Sequence, residues 1–459
     1  MSTLSTSQSA QRPLYVGCAT GFSGDRTDGA GPVVDTLIAL GGGVLNFETL
    51  GERTLALAQI EKRKDPNMGY EPLLADLVGP VLKRCLDHRI QIVSNFGAAN
   101  PQAAAQRIFA IAREQKLRTP RIAVVYGDDL NEPEQLKFLL KKLGTDIDPK
   151  RVVSANAYIG AYEIAQALND GADIVVTGRA SDPSLTLGPA IAHFGWAMDD
   201  WHKMGCGTMA GHMLECGTQV SGGYYSVPGQ KSVPGMDRIG FPIAEIRADG
   251  TFSIFKANDT GGLVDDRTGR EQILYEVHDP ARYLTPDVTA DITEACITEE
   301  GPNRIRVEGI QGHPRPTELK VNVCYDNGYL AEAEISYAGF RARERAVLAG
   351  ETVRKRIGHL LALRIDLIGA ISIFGDDAGE LMGKGLPEAR DVRLRVAGVH
   401  IDKSIAEKIL REVTSLYCCG PAGGGGVRTS LRPRLDTLSC TIPRESVPCG
   451  YRFVEEQHA

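Results

Sequence analysis

Ile92-Val-Ser-Asn-Phe-Gly-Ala-Ala-Asn-Pro101 and Ile174-Val-Val-Thr-Gly-Arg-Ala-Ser-Asp-Pro183 align without a gap. Each reads as a buried strand, a loop of small residues, then Asn100 or Asp182 as helix N-cap with proline at the first helical position. Working outward, the same grammar repeats. Short apolar runs at 14–18, 43–47, 90–94, 121–126, 152–156 and 173–177 alternate with helix-period stretches at 52–62, 71–88, 101–116, 131–142 and 161–169. This alternation predicts an α/β fold: a Rossmann-like, mostly parallel sheet with helices on both faces. Ligands of such sheets bind at the carboxyl ends of the strands, where both aligned loops fall.

At 459 residues the chain is about three times the commonest domain size, which predicts two domains. After residue 235 the texture changes to paired strands, 239–246 with 252–256 and 318–325 with 329–337, the second pair read as a hairpin about Asn327-Gly328. A helix at 341–361, strands at 363–373 and 392–399 and a helix at 403–417 complete an α+β region. The expected division is a disordered tail at 1–12, a site-bearing α/β domain at 13–235 and an α+β domain at 236–459.

Hydrophobic residues at 42% and charged residues at 24% exclude wholesale disorder and fibrous structure. Lys plus Arg number 51 against 58 Asp plus Glu, a formal charge of -7, so no long-range field attracts nucleic acid or an anionic membrane. The longest apolar run, 360–374, is broken by Arg364 and Asp366 and does not span a bilayer. Ten cysteines without a C-x-x-C pair or a regular framework, and a start with no apolar leader, predict a cytoplasmic protein.

Several polar groups converge on the strand ends. Gly17, Gly21 and Gly24 follow the first strand in a turn whose amides suit an anion, but the spacing is not G-x-G-x-x-G, and Asp25 at the expected helix start repels a pyrophosphate. Glu48 stands where a dinucleotide site holds its ribose, yet without the fingerprint no nicotinamide cofactor is expected. Asp25 with Arg26, Glu48 with Arg53, and Arg179 with Asp182 follow the first, second and sixth strands. Mixed charge there suits a polar substrate with a carboxylate or thioester to orient and a carboxylate to act as acid or base. Asn95, which capping does not require, joins this set, as does Asn100.

His212, Glu215 and Cys216 fall at i, i+3 and i+4, so all three share one helix face. Histidine offers acid–base chemistry at neutral pH, with Glu215 to orient it, and Cys216 a nucleophile. The spacing also suits metal ligands, but the second histidine of the helical zinc motifs is missing, so no metal site is assigned. Far along the chain, Gly420-Pro-Ala-Gly-Gly-Gly-Gly426 predicts close backbone approach to a ligand or another element, with Gly424 and Gly425 at its centre.

Together these segments resemble the acyclic terpene utilization protein A (AtuA-like) family. The resemblance rests on Gly17 to Arg26, Glu48 with Glu52 to Ala58, Asp65 to Tyr70, Asn95 to Pro101, Gly178 to Ser184, Ala210 to Cys216 and Gly420 to Gly426, and runs from about 14 to 452. It implies a place in the breakdown of acyclic terpenoids through CoA thioesters and supplies no mechanism. The expected function is an enzyme of terpenoid or branched-chain acid or acyl-CoA catabolism, a lyase or hydratase. Asp25, Glu48, His212 and Glu215 are its acid–base candidates; Gly21, Arg26, Arg53, Asn95, Asn100, Arg179, Asp182, Gly424 and Gly425 are its substrate-binding ones. A non-catalytic acyl-CoA-binding or assembly subunit and a cysteine- or metal-dependent hydrolase are the alternatives. No resident cofactor is expected, the partner is a small carboxylic acid or acyl-CoA, and a homo-oligomer is anticipated.

Overall fold

The computed structural model describes residues 12–373, 375–376 and 389–457, so all of the expected tail but Arg12 lies outside the described residues. In chain order come β1 (Leu14–Cys18), α1 (Ala30–Ala39), β2 (Val44–Phe47), α2 (Glu52–Lys64), α3 (Leu74–His88), β3 (Gln91–Ser94), α4 (Pro101–Glu114) and β4 (Ile122–Tyr126). Next are α5 (Pro133–Leu143), β5 (Val152–Ala157), α6 (Tyr162–Asn169), β6 (Ile174–Val176), α7 (Ser184–Phe194) and α8 (Trp201–Leu214). They are followed by β7 (Pro242–Ile246), β8 (Phe252–Lys256), α9 (Asp266–Leu274), β9 (Tyr283–Leu284), β10 (Thr289–Asp291), β11 (Cys296–Gly301), β12 (Arg304–Glu308) and β13 (Gln311–His313). The chain ends with β14 (Glu318–Ala338), α10 (Ala342–Ile357), β15 (Arg364–Ile368), β16 (Asp391–His400), α11 (Lys403–Cys419), β17 (Gly425–Pro443) and β18 (Gly450–Val454).

A ten-stranded sheet runs β11-β12-β8-β7-β1-β2-β3-β6-β4-β18. The five strands from β1 to β4 are mutually parallel, and antiparallel strands extend both sides. The aligned segments prove to be neighbours: β3 and β6 pair in parallel with Ile92 opposite Ile174 and Val93 opposite Val175, the register of the sequence alignment. Alternation then assigns the faces. Leu45, Ile92, Ile122 and Ile174 pack with Leu37, Leu82 and Ile108 from α1, α3 and α4. Asn46, one residue out of phase, donates to Thr186 Oγ1 of α7 at 2.8 Å, on the other face with α6 and α8. Truncating a core residue such as Ile108 to alanine costs about 2–5 kcal/mol.

Two expectations need correction. Asn100 caps α4, its side chain accepting from Ala103 N–H, but Asp182 caps nothing: α7 begins one residue later, at Ser184, with Pro183 at the N-cap. Nor does Asn327-Gly328 close a hairpin. β14 continues through both residues, because Tyr329–Ala338 finds its partner in β16.

The chain parts into two compact units, one of 12–149, Val153–Val323 and 438–457, the other of Lys150–Val152 and Cys324–Thr437. Contacts therefore group differently from a break at 235: β7, β8, β11 and β12 extend the first unit's sheet. In the second unit, α10 and α11 cover the strands through Ala346, Val353, Ile409 and Val413 packed on Ile335, Ile365, Leu394 and Val396.

Candidate functional site

Glu48, Asn95 and Arg179 leave the carboxyl ends of β2, β3 and β6, three consecutive strands of the sheet. All three are buried. Glu48 Oε1 accepts from Leu50 N–H at 2.9 Å and from Asn95 Nδ2 at 2.8 Å, and Asn95 Oδ1 accepts from Thr49 N–H at 2.8 Å. Burial, joined by the nearby charge of Asp182, pushes the Glu48 carboxyl up to about 8, so it holds its proton at neutral pH.

Arg179 is 2% exposed. Its Nε donates to Ala180 O at 2.9 Å, and its terminal nitrogens donate to Leu50 O, Ala180 O and Asp182. The guanidinium lies 4.5 Å from the centre of the Tyr158 ring. Its main-chain N–H donates to the buried Asp128 carboxylate at 2.8 Å. Asp182 keeps 32% of its side-chain surface, which opens this pair to one side.

His212 is fully buried near the end of α8, tilted against the Tyr283 ring at 5.2 Å. Nδ1 lies 2.6 Å from Glu215 Oε1 and Nε2 3.0 Å from Gln272 O. A carbonyl oxygen only accepts, so Nε2 carries hydrogen and one proton is shared between Nδ1 and Glu215. Burial opposes the imidazolium, but Glu215 outweighs it and the His212 pKa rises; burial raises Glu215 despite His212. Both ring nitrogens are engaged. Glu215 Oε2 is buried with no hydrogen-bond partner, and it is the free face of the pair.

The two clusters converge. Asp182 acts electrostatically on Glu48, Glu215 and Cys216, and Glu276 acts on Asp182, Glu215 and Cys216. Backbone contact makes the same junction: a Cβ on Gly21 would lie 2.3 Å from Cys216 C, so only glycine lets the first loop meet the end of α8. Burial, reinforced by Glu215, Glu48, Glu276 and Asp182, drives the Cys216 thiol far above its ordinary value, the opposite of an activated nucleophile.

Other expected residues lie in different roles. Asp25 accepts from Gly21 N–H at 2.8 Å and Arg26 N–H at 2.7 Å, closing its own loop. Arg26 pairs with Asp28 and rests 5.8 Å from the Phe241 ring centre. Asn100 donates to Pro66 O and Met68 O at 2.8 and 2.7 Å while capping α4. Arg53 is exposed on α2. Gly424, against Ile335 and Tyr337, and Gly425 belong to the second unit.

Sequence reading missed Glu276, Tyr283 and the group formed by Glu52, Tyr158 and Asn322. Tyr158 Oη donates to Glu52 at 2.6 Å and Asn322 Nδ2 donates to the same oxygen at 2.9 Å. Although burial works against it, the Tyr158 donation, helped by the Glu52 main chain and the charges of Lys320 and Arg179, takes the Glu52 carboxyl down to about 2. Glu276 carried one local signal, a non-glycine residue at φ +57° after a helix, visible only once the backbone is known. Among the described residues Asp265, Asp266 and Glu299 bring three ligand-type atoms within 4.8 Å of one another; none belongs to this cluster.

Fold and site thus define an α/β protein with buried carboxyls at the strand ends, raised above their ordinary range by burial. Residues 14–453 match the family described as Acyclic terpene utilisation family protein AtuA, and the chain belongs to that family. No curated protein and no solved structure matches it. Among the described residues no helix is long and apolar enough to cross a membrane.

Proposed function

We propose that this protein is a lyase or hydratase of acyclic terpenoid or branched acyl compounds, working by side-chain acid–base chemistry. The observation that supports the reading is two buried carboxyls with unlike partners: Glu48, up to about 8 and held by the amide donors of Leu50 and Asn95, and Glu215, bonded to His212 Nδ1 at 2.6 Å with its second oxygen unpartnered. Unlike partners of this kind divide the roles of acid and base, the carboxyl beside an imidazole being the one that can pass its charge on. In dehydration of a β-hydroxyacyl group, Glu215 Oε2 takes the proton from the carbon beside the carbonyl. Glu48 gives its proton to the hydroxyl. The C–H and C–O bonds break, a C=C bond forms and water leaves, with Glu215 protonated and Glu48 ionised; hydration is the reverse. His212 touches no reacting atom and is a positioning residue that buffers the charge of Glu215.

The test is incubation with branched β-hydroxyacyl and α,β-unsaturated acyl thioesters, read by mass spectrometry for gain or loss of one water. Glu48→Gln and Glu215→Gln should each lower turnover by roughly 10²–10⁴ while leaving the circular dichroism spectrum intact. Turnover that survives both substitutions, or none with any member of the panel, rejects the reading.

A further inference from the structure

We infer that the protein has a second binding site, a cavity beside α9 that takes an uncharged flat heteroaromatic ring with a hydrogen-bond donor and an acceptor on its edge, the chemistry of a purine base. The argument uses neither carboxyl given an acid–base role above, so it stands or falls apart from the proposed function.

The cavity, of about 460 Å³, lies between the segment 219–225 and the end of α9. Tyr224, Tyr225, Leu274 and Tyr275 line it together with Gln272, whereas Glu48, Asp182 and Glu215 do not. A concave space of this size with aromatic walls and few polar groups is the ordinary form of a small-molecule site. Two of the polar groups on its lining residues are incomplete. Gln272, 1% exposed, receives His212 Nε2 on its main-chain oxygen at 3.0 Å and donates its side-chain nitrogen to His212 O at 2.9 Å. A carbonyl only accepts, so the amide nitrogen must face His212, and Oε1 is the end left without a partner. Tyr225 is 5% exposed, and among the described residues its hydroxyl has no partner either. Buried polar groups left open cost stability. A ligand that donates to Gln272 Oε1 and accepts from Tyr225 Oη completes both.

The ions of the lining are already matched. Arg270 pairs with Asp266 at 3.1 Å and Glu271 pairs with Lys231, whose Nζ lies 4.6 Å from the centre of the Tyr225 ring. The protein thus supplies both the counter-ions and the cation that a tyrosine face attracts, and the missing partner is uncharged. Tyr224 argues that it is a ring. Its backbone sits at φ +59°, where glycine or asparagine is at ease and a bulky side chain is an outlier, and the residue is 94% exposed. Packing within the protein does not account for a strained aromatic side chain that is left in water. At the mouth of a cavity its face is a platform on which a flat base stacks. An aliphatic alcohol would satisfy Gln272 but leave that platform unused.

Isothermal titration of the full chain at pH 7 compares adenosine with three relatives: purine riboside, which keeps the rings and sugar but lacks the 6-amino donor; hexan-1-ol, a donor without a ring; and adenosine 5′-monophosphate, which adds charge. Adenosine should bind at least about tenfold more tightly than purine riboside or hexan-1-ol, and the monophosphate should bind no more tightly than adenosine. Tyr225→Phe removes only a hydroxyl that bonds to nothing in the protein, and Tyr224→Asn removes the ring at a backbone angle that asparagine accepts. Each should weaken adenosine about tenfold and leave the midpoint of urea unfolding no lower than in wild type. Absence of adenosine binding, equal binding of purine riboside or hexan-1-ol, or affinity indifferent to both substitutions overturns the inference. So does a monophosphate bound tenfold more tightly, which would make the base one end of an anionic ligand, or a lowered midpoint for Tyr224→Asn, which would make its ring structural. Binding is read without turnover, so a failed search for lyase activity bears on none of these outcomes.

Discussion

Asn100 and Asp182 stand at matching positions in two segments that pair in the register of their alignment, yet they do different work. Asn100 caps α4 and clamps the carbonyls of Pro66 and Met68; Asp182 leaves α7 uncapped and turns to Arg179. The difference lies three residues upstream, where the first segment has Gly97 and the second Arg179. A buried guanidinium leaves a far larger deficit unpaired than a helix end does, so the carboxylate goes to the cation. One segment became a well-satisfied turn, and the other kept a charge near the site.

The sharpest way to break this comparison is to remove the cation. Arg179→Met leaves Asp182 and three carbonyl contacts unpaired and should cost about 3–5 kcal/mol in urea unfolding. Adding Asp182→Asn should restore at least roughly 1 kcal/mol relative to additivity, the mark of direct coupling. Strict additivity would mean that Arg179 is not what draws Asp182 from the helix end.

The second measurement concerns pH. Glu48 is raised from its ordinary value to about 8, so between those limits the folded state binds the extra proton and stability falls as pH rises. His212, also raised, gives the same sign, since its stabilisation is lost as pH climbs through its folded pKa. Glu48 alone should take roughly 4 kcal/mol from wild type between pH 5 and pH 9, and Glu48→Gln should lose distinctly less. Glutamine keeps an acceptor for Leu50 and Asn95, so the variant isolates charge. Parallel pH profiles for the two proteins would remove Glu48 as the neutral-pH acid, and with it an alkaline fall in turnover near 8.

How much of this was legible follows from what each feature depends on. The strand-loop-helix pattern is local, and the strands at 14–18, 44–47, 91–94 and 122–126 emerge where alternating and apolar runs put them. Asn327-Gly328 was misread because the turn signal is also local while its outcome is not. Gly328 does take φ +87°, and a Cβ there would lie 2.5 Å from His400 O. Glycine serves close approach to β16 instead of a reversal. His212 with Glu215 was readable from helical spacing alone. Glu276 and Tyr283 were not, since tertiary packing brings them to α8 from segments more than sixty positions on. Likewise nothing in the sequence separates Asp25, tied to its own loop, from Glu48, buried and protonated.

The smallest effect is the most discriminating about why the aligned positions differ by one atom type. Asn100→Ala removes the cap and both carbonyl contacts and should cost about 1–2 kcal/mol. Asn100→Asp, which installs the residue of position 182, keeps an acceptor for Ala103 N–H but turns a carboxylate toward Pro66 O and Met68 O, two groups that also only accept. It should therefore be no more stable than Asn100→Ala at pH 7 and should recover below about pH 4, where the carboxyl is protonated and donates again. If Asn100→Asp unfolds like wild type at pH 7, capping alone fixes that position. In that event the preference for Asn at 100 and Asp at 182 has to come from Arg179 and its field, with the 66–68 loop playing no part.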